Sequence, residues 1–201
     1  QKATDWVSWF EKNQIELKKP PFGLAPIEKS SAEVIKKCEV ELNCTFPDDY
    51  KSFSQQIGAG TIGRVRVFCP VAGGGSCDLR FQSSVVRGKF NDPDFVNKHD
   101  FDLSTAVFFA QDKVYGYWFC WLPNDKNKDI VYCVDVRNKM PKPPRLAKTF
   151  VSFIERVCLG TLMDELGLKK MSTLQQGGQV DSDSDEEDPK PPPRVFVPFR
   201  G

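Results

Sequence analysis

The chain is poor in histidine, in charge imbalance and in long apolar runs, and each shortage removes a class of function. His99 is the only histidine among 201 residues, and none of the seven cysteines forms a C-x-x-C pair. The usual Cys/His sets for tetrahedral zinc therefore have no starting point, and no metal or cofactor is expected. Lys and Arg number 28 against 27 Asp and Glu. So balanced a charge offers no field to a phosphate backbone or an anionic lipid surface, even though basic residues gather at 137–148. Neither nucleic acid nor membrane is an expected partner. No apolar run approaches the length of a transmembrane helix, and no secretory n-region and h-region open the chain. Its first residue is Gln1, so a preceding segment or a larger parent protein stays open. There is no internal repeat.

What the chain has is aromatic mass, with 16 Phe, 4 Trp and 4 Tyr, enough to pack a core and leave some sticky surface. The cysteines are Cys38, Cys44, Cys69, Cys77, Cys120, Cys133 and Cys158. Their odd number, in a chain able to stand on its own core, argues against a disulfide framework. Most sit in apolar runs, as Cys120 does in Tyr117–Leu122, so buried thiols in a reducing cytoplasm or nucleus are expected. If 116–122 and 130–136 pair as a hairpin, Cys120 and Cys133 fall near each other.

Helical signals dominate the first third. Asp5 caps a helix over 5–19 with Trp6, Trp9, Phe10 and Leu17 toward one side, and Pro20-Pro21 ends it before a linker at 20–29. Ser30 with Glu33 predicts a capping box, followed by Val34, Ile35, Cys38 and Leu42 at helical spacing. Pro47, Asp48 and Asp49 predict a second helix start, Tyr50, Phe53 and Ile57 its buried stripe, and Gly58 its terminator. Strands are then predicted at 62–69, 78–86, 104–110, 115–122 and 130–136. Residues 87–103 are expected to be a long surface loop with a short helix near 93–98. A last helix begins near Ala147 or Lys148, with Phe150, Val151, Phe153, Ile154, Val157, Cys158 and Leu162 against the sheet. The fold class is α+β: an antiparallel sheet of five to six strands, helices on one face, and a flexible C-terminal tail. The expected division is 1–29, 30–168 and 169–201.

Phe46-Pro47, Asp49-Tyr50, Phe53 and Gly58, followed by the Gly60–Gly63 turn and a strand, resemble the opening of the SUKH superfamily. Ala110-Gln111-Asp112 with Gly116-Tyr117-Trp118-Phe119 is similar to that family's strand, acidic turn and aromatic strand, and Thr149-Phe150 with Phe153 to its terminal helix. The superfamily holds yeast cell-wall-assembly regulators, bacterial immunity proteins and viral and eukaryotic relatives. The resemblance implies a protein-binding domain whose sheet and long loops meet the partner. Here those would be 70–77, 87–103 and the aromatic hairpin.

Candidate catalytic groups have simpler explanations. His99 and Asp100 are neighbours in an irregular loop, Asp48 and Asp49 serve a helix dipole, and Gly58–Gly63 follows a helix where a phosphate loop would precede one. A non-enzymatic protein binder is expected, either a regulatory adaptor or an immunity protein that occludes a nuclease or deaminase toxin. An unrecognised enzyme or metal-dependent domain is the remaining alternative. Candidate contacts are Tyr115, Tyr117, Trp118 and Trp121, whose strand carries aromatics on both faces, one of them a second core layer or an exposed patch. In the tail, Pro189, Pro192 and Arg194 fit P-x-x-P-x-R, a ligand for polyproline-groove domains. Ser182 and Ser184 lie in an acidic run suited to phosphorylation. Val195–Phe199 is apolar enough to add an edge strand to this domain or to a partner.

Overall fold

Capping chemistry starts the helices, with one shift of position. The computed structural model describes residues 3–18, 29–90, 103–136, 143–166 and 193–199. Asp5 caps α1 (Trp6–Lys12), accepting from Ser8 N at 3.2 Å. Gln14, with φ of 56°, turns the chain into β1 (Glu16–Leu17), so the helix expected to reach 19 stops early. Ser31, not Ser30, caps α2 (Ala32–Glu41), accepting from Val34 N at 3.3 Å. Ser30 is buried and donates to Pro70 O at 2.6 Å, which ties the helix entry to a distant loop. Pro47 occupies the cap of α3 (Asp48–Gln56), and Gly58, with φ of 88°, ends it in the left-handed region that glycine enters without strain.

The expected strand at 62–69 is two strands, β2 (Gly60–Ile62) and β3 (Val65–Val67), because Gly63 folds it back at φ of 57°. Then come α4 (Leu79–Phe90), β4 (Val107–Asp112), β5 (Tyr117–Trp121), β6 (Val131–Asp135) and β7 (Arg145–Ala147). The last expected helix is broken into α5 (Phe150–Phe153), a π-helical turn at Ile154–Cys158, and α6 (Leu162–Glu165). Finally β8 (Val195–Pro198) returns to the sheet. The class is α+β, but the sheet has eight strands among the described residues and is mixed, in the order β1-β8-β2-β3-β4-β5-β6-β7. Only β1 and β8 run parallel; the expected five to six antiparallel strands included neither β1 nor β7, while Val195–Phe199 was expected as an edge strand of this domain or of a partner. Residues 193–199, expected in a flexible tail, are a sheet strand and its flanks, and β8 lies inside the sheet instead of at its edge. The proposed short helix near 93–98 lies outside the described residues.

The largest departure is α4, where 78–86 was expected to be a strand. Leu79, Ser83 and Val86 are its buried residues, a helical spacing that the alternation of Leu79, Phe81, Ser83 and Val85 concealed. This helix lies along β4 and serves it through side chains. Ser83 Oγ accepts from Phe108 N at 3.1 Å, and the Arg87 guanidinium donates to Thr105 O and Ala106 O at 2.8 Å each. Side chains of α4 thus bind backbone groups in and just before β4.

One face of the sheet holds an aromatic cluster. Trp6, Phe10, Tyr50, Phe53, Phe150 and Phe153 come from the helices, and Phe109, Phe119, Trp121 and Phe196 from the strands. Trp121 stacks on Phe109 at 3.8 Å, and most other pairs meet edge to face at 5–6 Å, the separations that ring quadrupoles favour. On the other face Trp118 packs between Phe68 and Phe108, and Phe68 reaches Phe199.

Candidate interaction surface

Both faces of β5 are core. Tyr117, Trp118 and Trp121 are 1%, 6% and 3% exposed, which settles the choice in favour of a second core layer and removes them as exposed partner anchors. Strand alternation is the cause, since Trp118 faces one layer while Tyr117, Phe119 and Trp121 face the other. Tyr115 stays half-buried in the β4–β5 turn, under the Arg64 guanidinium at 5.2 Å. The register pairs Phe119 with Cys133 and Cys120 with Tyr132, so the two cysteines lie on opposite faces instead of side by side. All seven thiols are free and five are buried.

That turn is organised by Asp112. Its Oδ1 accepts from Val114 N and Tyr115 N at 2.8 and 2.9 Å, and Gly116, at φ of 73°, completes the loop. Arg64 Nε lies 2.8 Å from Asp112 Oδ2 without hydrogen-bond alignment, so their attraction is one of charge. Asp164 stands 3.7 Å from Arg64 Nη1. Fully buried Asp112 thus ties β4, through Arg64, to the β2–β3 turn and α6; its role is architectural.

Loop 70–77 is stapled at its base. Buried Asp78 accepts from Val71 N and Arg80 N, and Arg80 reaches Val71 O and Glu41 Oε2 at 2.7 and 2.9 Å. Asp78 beside it holds the guanidinium firmly charged. The tip, with Gly74 and Gly75 at positive φ, projects into open space.

A concave surface among the described residues lies elsewhere, between α2, the 43–49 connection and the β5–β6 loop. One depression of about 610 Å³ is lined by Lys36, Glu39, Val40, Asn43, Pro123 and Asn124. A second, of about 240 Å³, runs on past Pro47, Asp48, Asp129 and Thr149 to Phe150. Thr45 and Lys128 line both and make them one groove. Its walls are fixed: Glu39 accepts from Phe46 N at 2.7 Å, and the Tyr132 hydroxyl anchors the β5–β6 loop through Asp125. That hydrogen bond and Arg145 hold the Asp125 carboxyl below its usual range. Lys51 does the same to Asp48 through a 2.8 Å contact. Cys44, half-buried on the wall, has its thiol pushed up to about 12, first by burial and then by Glu39, so it is a poor nucleophile. Sequence reasoning missed this groove because its lining joins residues from distant parts of the chain; exposed Val40 on α2 was the available signal.

Arg194 is exposed and donates to Asn13 O at 3.0 Å, capping α1 from the far end of the chain. Pro189, Pro192, Ser182, Ser184 and His99 lie outside the described residues. Among the described residues, no group of His, Cys, Asp and Glu could hold a metal ion, and no helix is long and apolar enough to cross a membrane.

Residues 29–156 match the model of the SMI1 / KNR4 family (SUKH-1). The chain belongs to that family. The SUKH-1 match begins just before α2 and ends in the π-helical turn, so α1, β1 and β8 lie outside it. No curated protein and no solved structure matches the chain.

Proposed function

We propose that this SUKH-1 chain is a non-enzymatic protein-interaction domain, without cofactor, that acts as a regulatory adaptor by docking a protein in the groove beside α2. Val40 carries the reading. It is 74% exposed and sits within a polar rim of Lys36, Glu39, Asn43 and Asn124. An apolar anchor ringed by mixed charge is the chemistry of a protein interface, and family membership supports the same role. The adaptor version, over a toxin-occluding one, is supported by where the acidic and proline-rich segments fall. In the sequence they fall between α6 and β8, and they bring Ser182, Ser184 and the Pro189–Arg194 motif as a second contact for the same partner or another. Five buried thiols favour a reducing compartment.

Val40→Asp tests the groove, because it alters a side chain the fold barely uses. Thermal unfolding should stay unchanged, while the affinity of the partner retained by the wild-type chain falls at least tenfold in a purified binding assay. Lys128→Glu, across the groove, should have a comparable effect. A partner that binds both variants as tightly as wild type would remove the groove from the proposal.

A further inference from the structure

The placement of β8 has no counterpart in the family span. β2 is the outermost strand of the SUKH-1 match on this side of the sheet, and the elements beyond it come from residues 16–17 and 195–198. β8 pairs antiparallel with β2 through Ile62–Phe196, Thr61–Val197 and Gly60–Pro198, and parallel with β1 through Glu16–Val195 and Leu17–Phe196. Gly63 N donates to Val195 O, Phe199 N to Ala59 O, and Lys18 N to Phe196 O. Pro198, which has no N–H, points toward the β1 side, beyond the last residue β1 pairs, where no donor is required. Only Phe196 is fully buried; its ring enters a pocket formed by Phe10 and Phe53. Gly60 is shaped to that ring. A Cβ there would lie 2.3 Å from Phe196 Cζ and 2.7 Å from Val197 O, so no other residue fits while β8 is in place.

Main-chain pairing along an edge, one aromatic side chain in one pocket, and a proline where pairing ends constitute strand addition, the way many domains bind extended peptides. We propose that the slot between β1 and β2 is a peptide-binding site, filled here by the chain's own residues 195–198. Its outside ligand is an extended segment of a partner protein, aliphatic–aromatic–aliphatic–proline in sequence, which takes the slot when β8 is withdrawn. The site is separate from the groove beside α2 and does not depend on it. The resident strand is tethered, so it competes at high effective concentration, and an untethered segment enters the intact chain poorly.

A specific protease site placed within 167–192 of the full chain allows the test, with a fluorescent peptide of residues 193–201 as the probe. After cleavage the chain should remain folded by near-ultraviolet circular dichroism and exchange its own fragment for labelled peptide. The labelled peptide should bind the intact chain at least 100-fold more weakly than the cleaved one. A peptide carrying Phe196→Ala should bind the cleaved chain at least tenfold more weakly, a comparison that needs no protein variant to fold. Cleaved Gly60→Val protein should bind neither peptide. The proposal is overturned by a folded cleaved chain that takes up no peptide, by unfolding on release of the fragment, or by equal binding of the Phe196→Ala peptide.

Discussion

Asp112 shows how one side chain can serve two neighbours that the sequence does not place side by side. Its carboxylate holds the β4–β5 turn by two backbone bonds and faces Arg64 from β2–β3, with no exposure of its own. Removing such a group takes the nearer of two carboxylates from beside Arg64 and orphans two amides. Asp112→Ala should therefore cost about 3–5 kcal/mol by denaturant unfolding. Asp112→Asn keeps an oxygen for the amides and should cost clearly less; equal losses would mean that the charge contact with Arg64 dominates. The sequence made this turn legible as strand, acid, glycine and aromatic strand. It did not reveal Arg64, because charge partners across a sheet leave no periodic trace. Ser30 and Ser31 make a similar case: adjacent identical residues, one a cap and one a buried tether, are told apart only by where Pro70 lies.

At the scale of elements, propensity and pattern located β4, β5, β6 and the first three helices, since each has its own stripe or alternation. α4 defeated the same rules. Its buried face includes Ser83, a polar residue that is inside because it pairs with the β4 backbone, so the apolar count along the helix misleads. Ser83→Ala, which adds no bulk, should be destabilising by about 1–3 kcal/mol, because it leaves the Phe108 amide without the hydroxyl it meets. Phe81 on the outer face of the same helix is half exposed and offers an internal comparison, since its replacement by alanine should stay within about 0.5 kcal/mol. Unfolding midpoints for the two variants check the contrast. The aromatic hairpin was legible as structure and misleading as a site, because alternation fixes which rings share a face but not whether a second layer covers them.

For the molecule as a whole, the family span describes a sheet that this chain extends with both of its distant ends. The apolar run Val195–Phe199 marked the extra strand in the sequence, but its place inside the sheet depends on β1, whose two exposed residues carry no strand signal. Phe196→Ala should lower stability by about 3–5 kcal/mol, as for a core ring and not a tail residue, measured by reversible unfolding of the full chain. Cutting the chain before residue 193 would remove β8 together with any second contact in the segment that precedes it. Point substitutions therefore separate fold from binding more cleanly than truncation does.

The parallel pairing of β1 with β8 also has a consequence in time. Synthesis delivers β1 ahead of β2–β7 and β8 after them, so β1 cannot find its neighbour until the elements between them have been made. For that interval the nascent chain carries an open β2 edge and an empty ring-sized pocket, the kind of surface on which chaperones and misassembly compete.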